Sequence, residues 1–294
     1  MKKAFLGPPI LLILTLSVFA QREFLPRFEL HAMGGYGLSQ FKSDSIYTYE
    51  WSYELLRSVT EDTVVSAKAQ SGFFLTGGAS FFFHPNFGIQ IGGGYGSFDV
   101  PNTGSFTFAW QSTEDPGVNT EEARWNGNGK MTTVPLYLNI VGKFKLDKVN
   151  VFLTAGPTYY LNSFEANSFV GFGDTYFTII EPYEYQWVDA FQIPVSIPKT
   201  TWQSFGANFG LGIEFEVSPG VAITAEGRYF LVPKENLVWQ WIPGTYDSIF
   251  YDNFTGWEYT AEDLADYQAE MTTLEIKPSF FSFTVGIRFS FREK

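Results

Sequence analysis

The sequence predicts an all-β fold, a closed antiparallel barrel of eight strands that crosses a membrane and carries long extracellular loops. Three observations support this prediction. Short turns alternate with loops of about 30 to 45 residues, whereas ordinary connections have about 4–6 residues. The segments between them are long and place apolar side chains at every second position. A short apolar run also follows a basic N-terminus, as in exported proteins.

The turns and the loops fall at opposite ends of the predicted strands. Short turns occur at 84–86, 146–149 and 218–220. Long loops occur at 40–69, 99–129, 163–201 and 233–277. In a membrane barrel the periplasmic turns are short and the extracellular loops are long. A soluble sandwich has no reason to separate turns and loops in this way, so the pattern favours a membrane-spanning barrel.

The first four strands are predicted at 27–39, 70–83, 87–98 and 131–146. In each of them one face is apolar and the other is polar or rich in small residues. The third strand is the richest in glycine, which leaves room for bulky side chains opposite. Pro135 lies inside the fourth strand, where its missing N–H removes a ladder hydrogen bond, so we expect a bulge or a frayed rim there.

The last four strands are predicted at 149–162, 203–217, 221–232 and 279–292. They alternate more regularly, although Pro157 raises the same question as the proline of the fourth strand. The eight predicted strands have about 12 to 16 residues each, whereas strands of soluble proteins average about 5 or 6. A tilted membrane crossing needs about 9–11 residues, so these segments are long enough to span a bilayer.

Aromatic residues gather near the predicted strand ends. The candidate girdle residues are Tyr36, Phe83, Phe87, Tyr95, Tyr159, Tyr160, Trp202, Tyr229, Phe289 and Phe291. Aromatic girdles mark both membrane–water interfaces of a barrel. The chain is 19% aromatic, and its hydrophobicity is distributed by alternation rather than in blocks, which favours a barrel over a bundle of membrane helices.

The chain is predicted to consist of a signal peptide at 1–20 and one outer-membrane β-barrel domain at 21–294. Lys2 and Lys3 precede an apolar run that ends at Ala20, a small residue suited to cleavage. A transmembrane anchor is the alternative, but the run is short for a spanning helix of about 20 residues. The chain contains no Cys, so strand pairing rather than disulfides has to stabilise it.

Charged residues on the polar faces are predicted to meet inside the barrel. An eight-stranded lumen is about as wide as its own side chains, and buried charges there have to pair. The predicted ion network consists of Lys143, Glu214, Glu226, Arg228 and Arg288. We interpret this network as a structural plug, and the alternative interpretation is a narrow polar conduit.

No catalytic, cofactor-binding or metal-binding residues are predicted. His31 lies on an inward face and His84 lies in a turn, and neither has a Ser and a carboxylate at a spacing that suits a hydrolase. The glycine-rich stretches lie inside strands and lead to no helix, so no nucleotide or other cofactor is expected. A net charge of −12 disfavours nucleic acid as a partner.

The predicted extracellular loops are acidic and aromatic. We interpret the acidic residues as a solvated surface, and divalent-cation binding by the last loop is the alternative, because hard cations take oxygen ligands. Alternating aromatic residues such as Tyr47, Tyr49 and Trp51 indicate hairpins that rise above the membrane. A single helix is predicted, at 260–270, with Thr260 as its cap.

The last predicted strand closes with the segment Gly-Ile-Arg-Phe-Ser-Phe at 286–291. Together with the signal peptide and the eight strands, this segment resembles the small outer-membrane β-barrel families, which include the OmpA membrane domain, the OmpX and OmpW types and the PorT-like barrels. The resemblance covers nearly the whole mature chain. It implies a closed barrel in the outer membrane of a Gram-negative bacterium.

The sequence predicts a non-enzymatic function, because the outward-facing positions of the strands offer no Ser–His pair at a suitable spacing. The acidic, aromatic loops would serve a structural or partner-binding role, and the barrel would be surrounded by outer-membrane lipids. Envelope or secretion-complex proteins are the expected partners. The alternative function, implied by the OmpW type, is that of a narrow channel or transporter for a small or apolar solute.

Overall fold

The structure, a computed structural model, describes residues 25–53, 56–112, 117–146, 149–180, 183–246, 257–259 and 273–292. The predicted signal peptide and the predicted helix at 260–270 lie outside these residues. In the described part of the chain every regular element is a strand, and no helix there is long and apolar enough to cross a membrane.

The described residues form seventeen strands. They are β1 Arg27–Ser39, β2 Lys42–Tyr53, β3 Leu56–Lys68, β4 Ser71–Phe82, β5 Phe87–Asp99, β6 Asn102–Ser112, β7 Val118–Gly127, β8 Gly129–Leu146, β9 Val149–Ile180, β10 Tyr183–Ser218, β11 Val221–Leu231, β12 Glu235–Val238, β13 Gln240–Trp241, β14 Gly244–Tyr246, β15 Trp257–Tyr259, β16 Thr273–Ile276 and β17 Phe280–Arg292.

Eight of these strands form the predicted antiparallel ring. Their order is β11-β17-β1-β4-β5-β8-β9-β10, and a further pairing between β10 and β11 joins the two ends. The first and last barrel strands pair along their whole length, from Arg27 opposite Arg292 to Ser39 opposite Phe280. The ring therefore confirms the eight predicted strands, because each of them is present and differs from its predicted limits mainly at the extracellular end.

The apolar faces of the ring point outward. Phe205 is 76% exposed, Leu211 is 56% exposed and Val217 is 50% exposed, although all three are strongly apolar. The intervening residues of the same strand, such as Asn208 and Glu214, are buried inside. Because soluble monomers rarely expose continuous apolar surfaces of this size, the outer wall requires lipid around it.

The barrel strands β9 and β10 are longer than predicted. They contain 32 and 36 residues and stay paired up to Ile180 and Tyr183. A crossing needs about 9–11 residues, so roughly 20 residues of each strand extend beyond the membrane, or about 65 Å along the strand at a rise of about 3.3 Å. The prediction that loop aromatics belong to hairpins above the membrane agrees with this pairing.

The other long connections are also built from strands. β2, β3, β6 and β7 form a four-stranded sheet, β12 pairs with β16, β14 pairs with β15, and β13 pairs with β10. Buried apolar side chains pack where these elements join the barrel, among them Phe41, Val100, Phe164 and Trp239. The extracellular part therefore has a hydrophobic core of its own that continues into the mouth of the barrel.

Both strand prolines lie at gaps in the ladder rather than at the rim of the sheet. The pairing of β5 with β8 is interrupted between Leu136 and Thr133, where Pro135 lies. The pairing of β8 with β9 is interrupted between Thr158 and Ala155, where Pro157 lies. Each proline stays in register with the strand on its other side. The prediction of a bulge or a frayed rim is therefore wrong. Each missing N–H is accommodated by a local gap in the pairing with one neighbouring strand.

The short connections lie at the end of the barrel opposite the extracellular strands. Gly220 has a φ of 81°, a left-handed conformation that suits glycine. Its carbonyl accepts a hydrogen bond from the N–H of Ser290 at 2.7 Å, which ties the turn to β17. In the turn before β5, the N–H of Asn86 donates to Nδ1 of His84 at 3.2 Å. His84 is therefore part of a structural turn.

Candidate functional site in the barrel lumen

A buried ion cluster lies at the turn end of the lumen. Glu29 is its centre, because it accepts hydrogen bonds from Lys143 Nζ at 2.8 Å and from Arg288 at 3.0 Å. Ser290 Oγ donates to Glu29 at 3.2 Å, and Arg27 Nε lies 2.9 Å from the same carboxylate. Glu214 completes the cluster as a second carboxylate, paired with Lys143 at 2.9 Å and with Arg288.

Aromatic rings enclose this lower cluster. The Arg288 guanidinium lies 4.7 Å from the centre of the Phe152 ring, and Lys143 Nζ lies 4.9 Å from that of Phe82. Both rings are fully buried. Cation–π contacts of this kind become stronger where water is excluded. The lower cluster thus holds three cations and two carboxylates between aromatic walls.

A second polar group lies in the middle of the lumen. Arg228 donates to Glu226 through Nε at 2.9 Å and through a terminal nitrogen at 2.7 Å. The same guanidinium donates to Gln90 at 3.2 Å and lies 4.4 Å from the centre of the Tyr137 ring. The Tyr137 hydroxyl is 2.9 Å from that of Thr76. This group connects β4, β5, β8 and β11 across the barrel.

Amides extend the middle group to the remaining side of the barrel. Asn139 donates to Gln90 at 3.0 Å, and Asn208 donates to Asn139 at 2.7 Å and to Thr158 at 2.9 Å. Amides both donate and accept, so they can join strands without adding charge. The middle group therefore reaches β9 and β10 through neutral hydrogen bonds.

Aromatic side chains fill the lumen at its extracellular end. Phe230 stacks on Phe280 with ring centres 4.7 Å apart, and Phe74 lies 5.2 Å from Phe230. Phe98 packs on Phe280 at 5.2 Å, and Tyr160 contacts Phe230 edge-on. All five rings are fully buried. Side chains therefore fill the described lumen at three successive levels.

Small inward residues make room for these bulky groups. A Cβ on Gly92 would lie 2.6 Å from the Tyr137 ring, and one on Gly94 would lie 2.7 Å from the Phe74 ring. A Cβ on Gly212 would overlap the Phe152 ring. The glycine-rich strands thus have the packing role that the sequence suggested, because a larger residue at these positions would displace a lumen side chain.

The five residues of the predicted network are all inside the barrel but fall into two groups. Lys143, Glu214 and Arg288 belong to the lower cluster, whereas Glu226 and Arg228 form the charged pair of the middle group. Among the described residues no ion pair joins the two groups. The network is therefore two separate arrangements, stacked along the barrel axis.

Sequence reasoning left Glu29 out of the network and gave no role to Gln90, Asn139 and Asn208. Glu29 faces inward on β1 near the turn end, at a height similar to that of Arg288 on the paired strand β17. Glu29 could have been assigned to the network by counting how many residues separate each inward-facing charged residue from the turn end of its strand and grouping the residues with similar counts. The amides gave no such signal, because an uncharged side chain on an inward face needs no partner of opposite charge.

His31 is buried in the lumen at 5% exposure, and neither of its ring nitrogens has a hydrogen-bond partner within the described residues. Its ring contacts the position of Gly78 on the neighbouring strand. The described residues contain no group of three or more His, Cys, Asp or Glu side chains placed to hold a metal ion. Most of the acidic residues of the last predicted loop lie outside them, so divalent-cation binding there stays a prediction.

A ring of paired strands with an apolar outer wall and a filled polar interior defines an integral membrane β-barrel. The family model for the outer membrane protein beta-barrel domain matches residues 9–289. The chain therefore belongs to this family of small outer-membrane barrels, and the protein is located in the bacterial outer membrane. No curated protein sequence matches the chain.

Solved outer-membrane proteins are similar to the chain at low sequence identity. OprG from Pseudomonas aeruginosa is 8% identical over 92% of this chain and 97% of that one, with a TM-score of 0.49. The protease OmpT from Escherichia coli is 10% identical over 94% and 100%, with a TM-score of 0.44. The attachment invasion locus protein Ail of Yersinia pestis is 11% identical over 89% and 99%, with a TM-score of 0.30.

Proposed function

We propose that this protein is a non-enzymatic outer-membrane barrel whose filled lumen supports an extracellular platform of strands. The platform serves a structural or partner-binding role, as a subunit of a larger envelope or secretion complex. The observation that carries this proposal is the contrast between the two parts of the molecule. Ion pairs, amides and aromatic rings fill the lumen, while the strands of the long connections form ordered sheets beyond it.

The filled lumen argues against transport as the main role. Arg228, Gln90, Asn139 and Asn208 form one line of hydrogen bonds from wall to wall. Passage of a solute would require this line to break, which would leave buried amide and guanidinium groups without hydrogen-bond partners, although Arg228 would keep its ion pair with Glu226. Each buried polar group left unsatisfied costs about 1–3 kcal/mol, so an open state is disfavoured.

The length of the β9–β10 hairpin supports contact with another molecule. A lumen plug needs no strands above the membrane, yet this hairpin stays paired up to its tip. Its lower part is held by β13, through the pairs Val195–Trp241 and Ser196–Gln240. A hairpin fixed at its base and projecting from the membrane is suited to reach a partner beyond the lipid surface.

The enzyme alternative has little support among the described residues. A hydrolase needs a nucleophile, a base and an orienting acid within hydrogen-bond reach of one another. His31 is enclosed in the lumen among cations, and His84 is engaged in a turn. We therefore assign the polar interior to structure rather than to catalysis.

The test combines two measurements on the full chain. In planar bilayers we expect the purified protein to show no steady conductance, and a stable open channel would favour the alternative of solute passage. In native membranes we expect affinity purification to recover a defined envelope protein with the full chain. A variant in which residues 169–194 are replaced by a short turn should lose that protein.

The shortened variant has to be a folded barrel for this comparison to count. Its resistance to unfolding in detergent on unheated gels provides this control, since the deletion lies outside the ring. Equal recovery of the same protein with the shortened variant would contradict the role of the hairpin. Recovery of no envelope protein with either chain would contradict the role as a complex subunit.

A further inference from the structure

The lysine residues with described side chains are concentrated in one zone of the molecular surface. Eight lysines have described side chains: Lys143 lies in the lumen, and Lys145 is exposed at the turn end of β8. All the others are exposed near the extracellular ends of barrel strands, at Lys42, Lys68, Lys130, Lys199, Lys234 and Lys277. Because the chain as a whole carries a net charge of −12, this concentration of cations is not explained by composition.

An aromatic girdle gives the height of these lysines relative to the membrane. Tyr36, Phe73, Phe205 and Phe281 are exposed on the outer wall, with Tyr36 at 71%. Adjacent strands bring girdle rings together, as for Phe73 and Tyr95 at 5.6 Å or Tyr229 and Phe281 at 4.5 Å. Exposed aromatic rings of this kind mark the membrane–water interface.

The lysines lie at a nearly constant distance beyond this girdle. Counted along the chain, five of them follow or precede a girdle residue by four to six positions. These pairs are Tyr36 with Lys42, Phe73 with Lys68, Phe205 with Lys199, Tyr229 with Lys234 and Phe281 with Lys277. At about 3.3 Å per residue and a tilt of about 40°, they lie about 10–15 Å above the girdle. Their long stems can reach back toward the membrane.

Five of the lysines occupy consecutive strands of the ring. They belong to β10, β11, β17, β1 and β4 or to the residues that directly extend these strands, and we call them the lysine arc: Lys199, Lys234, Lys277, Lys42 and Lys68. Lys130 differs, because Asp99 and Glu165 are its direct cross-strand partners on both sides. The lysine arc is therefore a one-sided basic surface.

Among the described residues, the five cations of the lysine arc pair with two carboxylates, that of Asp44, which lies 3.3 Å from Lys42, and that of Glu275. Lys42 lies directly opposite Lys68 on the same face of the β2–β3 pair, and like charges in that position destabilise a sheet. Lys234 and Lys277 share a single carboxylate, that of Glu275, at 3.1 and 3.3 Å. The hydrogen bonds from these two lysines lower the pKa of Glu275 below its ordinary value. An external anion would relieve the repulsion within the lysine arc.

We propose that the lysine arc binds the phosphate groups on the headgroups of outer-leaflet lipid. Its height places it beside headgroups, and the strands that it extends form the lipid-facing wall below it. Lysine binds phosphate as a compact point charge. Basic residues next to a membrane surface recognise anionic headgroups in the same way. The proposal does not depend on what the extracellular platform binds.

The test is a lipid titration of the purified full chain in neutral detergent, followed by native mass spectrometry. The probe is lipid A with its two phosphates, and the reference is the same lipid after dephosphorylation. We expect the phosphorylated lipid to bind at least tenfold more tightly. Each lysine near an anionic surface contributes about fivefold in affinity, so the double variant Lys42→Gln and Lys68→Gln should bind about 25-fold more weakly.

Matched variants separate the lysine arc from a general effect of charge. Lys145→Gln removes an exposed lysine at the opposite end of the barrel, and Lys130→Gln removes one flanked by two carboxylates; each should change the affinity less than twofold. Should the double variant fail to fold, Lys234→Gln with Lys277→Gln tests the same surface on other strands. Equal binding of the dephosphorylated lipid would overturn the proposal. So would an equal loss in Lys145→Gln, or complete displacement of the lipid by an equivalent amount of inorganic phosphate.

Discussion

Replacing Glu29 by Ala tests the physical account of the lower lumen cluster most directly. Glu29 contacts Lys143, Arg288 and Arg27 and is 1% exposed. Its removal leaves three buried or half-buried cations with Glu214 as their one remaining carboxylate. Breaking a buried ion pair by removing one partner costs about 3–5 kcal/mol. We therefore expect a loss of about 4 kcal/mol in the free energy of unfolding.

The assay is urea unfolding of the barrel in lipid vesicles, followed by tryptophan fluorescence. With an m-value of about 2 kcal/mol/M, the expected loss lowers the midpoint by about 2 M urea. Glu216→Ala is the control, because Glu216 lies on the same strand as Glu214, only two residues away, but is exposed. Its loss should stay within about 0.5 kcal/mol, as for other surface substitutions.

A double-mutant cycle then distinguishes charge pairing from simple loss of packing. Lys143→Ala alone should also destabilise, because it leaves two carboxylates with fewer cations around them. Removing Glu29 and Lys143 together deletes both members of one pair, so the two losses should not add, with a coupling of about 0.5–3 kcal/mol. Strict additivity, or equal losses in Glu29→Ala and the Glu216 control, would refute the reasoning.

The remaining predictions concern packing, the lipid-facing wall and pH. Gly212→Ala should cost about 1–3 kcal/mol by overpacking against Phe152, whereas Gly227→Ala, with its nearest neighbour 3.6 Å away, should cost less than 1 kcal/mol in the same urea assay. Leu211→Arg, near the middle of the outer wall, should cost about 2–4 kcal/mol. The pKa of Glu275 is lowered by its hydrogen bonds with Lys234 and Lys277. These contacts should therefore persist at mildly acidic pH and be lost once the pH falls through the lowered pKa. An NMR titration of the Glu275 carboxylate measures this pKa.

The barrel could be predicted from the sequence because its strongest determinants are local. Alternation decides which side of a strand faces lipid, and a one-residue error would reverse every side chain from Phe205 to Val217. Turn length decides which end of the barrel faces the periplasm. Both signals lie within a few residues of one another, so no knowledge of distant strands is needed.

The lumen network was harder to predict because it depends on strands that are far apart in the chain. Glu29 and Lys143 are 114 residues apart in sequence, and Arg228 and Gln90 are 138 apart. Two inward charges can pair only if they lie at the same height along the barrel axis. That height depends on the stagger of all eight strands, and the alternation of apolar and polar residues does not reveal the stagger. The same limit explains why Glu226 and Arg228 were grouped with Lys143, Glu214 and Arg288.

The lengths of β9 and β10 were underestimated for a different reason. The prediction ended these strands near Asn162 and Gln203, where a membrane crossing is complete. Above the membrane the pairing continues with polar and aromatic residues, and lipid no longer imposes alternation there. Strand propensity then depends on cross-strand neighbours, which a single sequence does not show.

The lower cluster also explains how the barrel can close in one register. The ring closes where the first strand meets the last, and the pair Glu29–Arg288 at 3.0 Å spans this seam. If β17 slipped by one residue, Arg288 would turn toward lipid, and Glu29 would lose one of its cations. A charged side chain on the lipid face is destabilising, by an amount that falls from about 2–4 kcal/mol at the midplane to about 0–1 kcal/mol near the interfaces, and the pair with Glu29 would be lost as well. Lys143 and Glu214 extend the same constraint to strands across the lumen. The buried charges therefore select the observed strand register, even where hydrophobic burial alone would allow several registers.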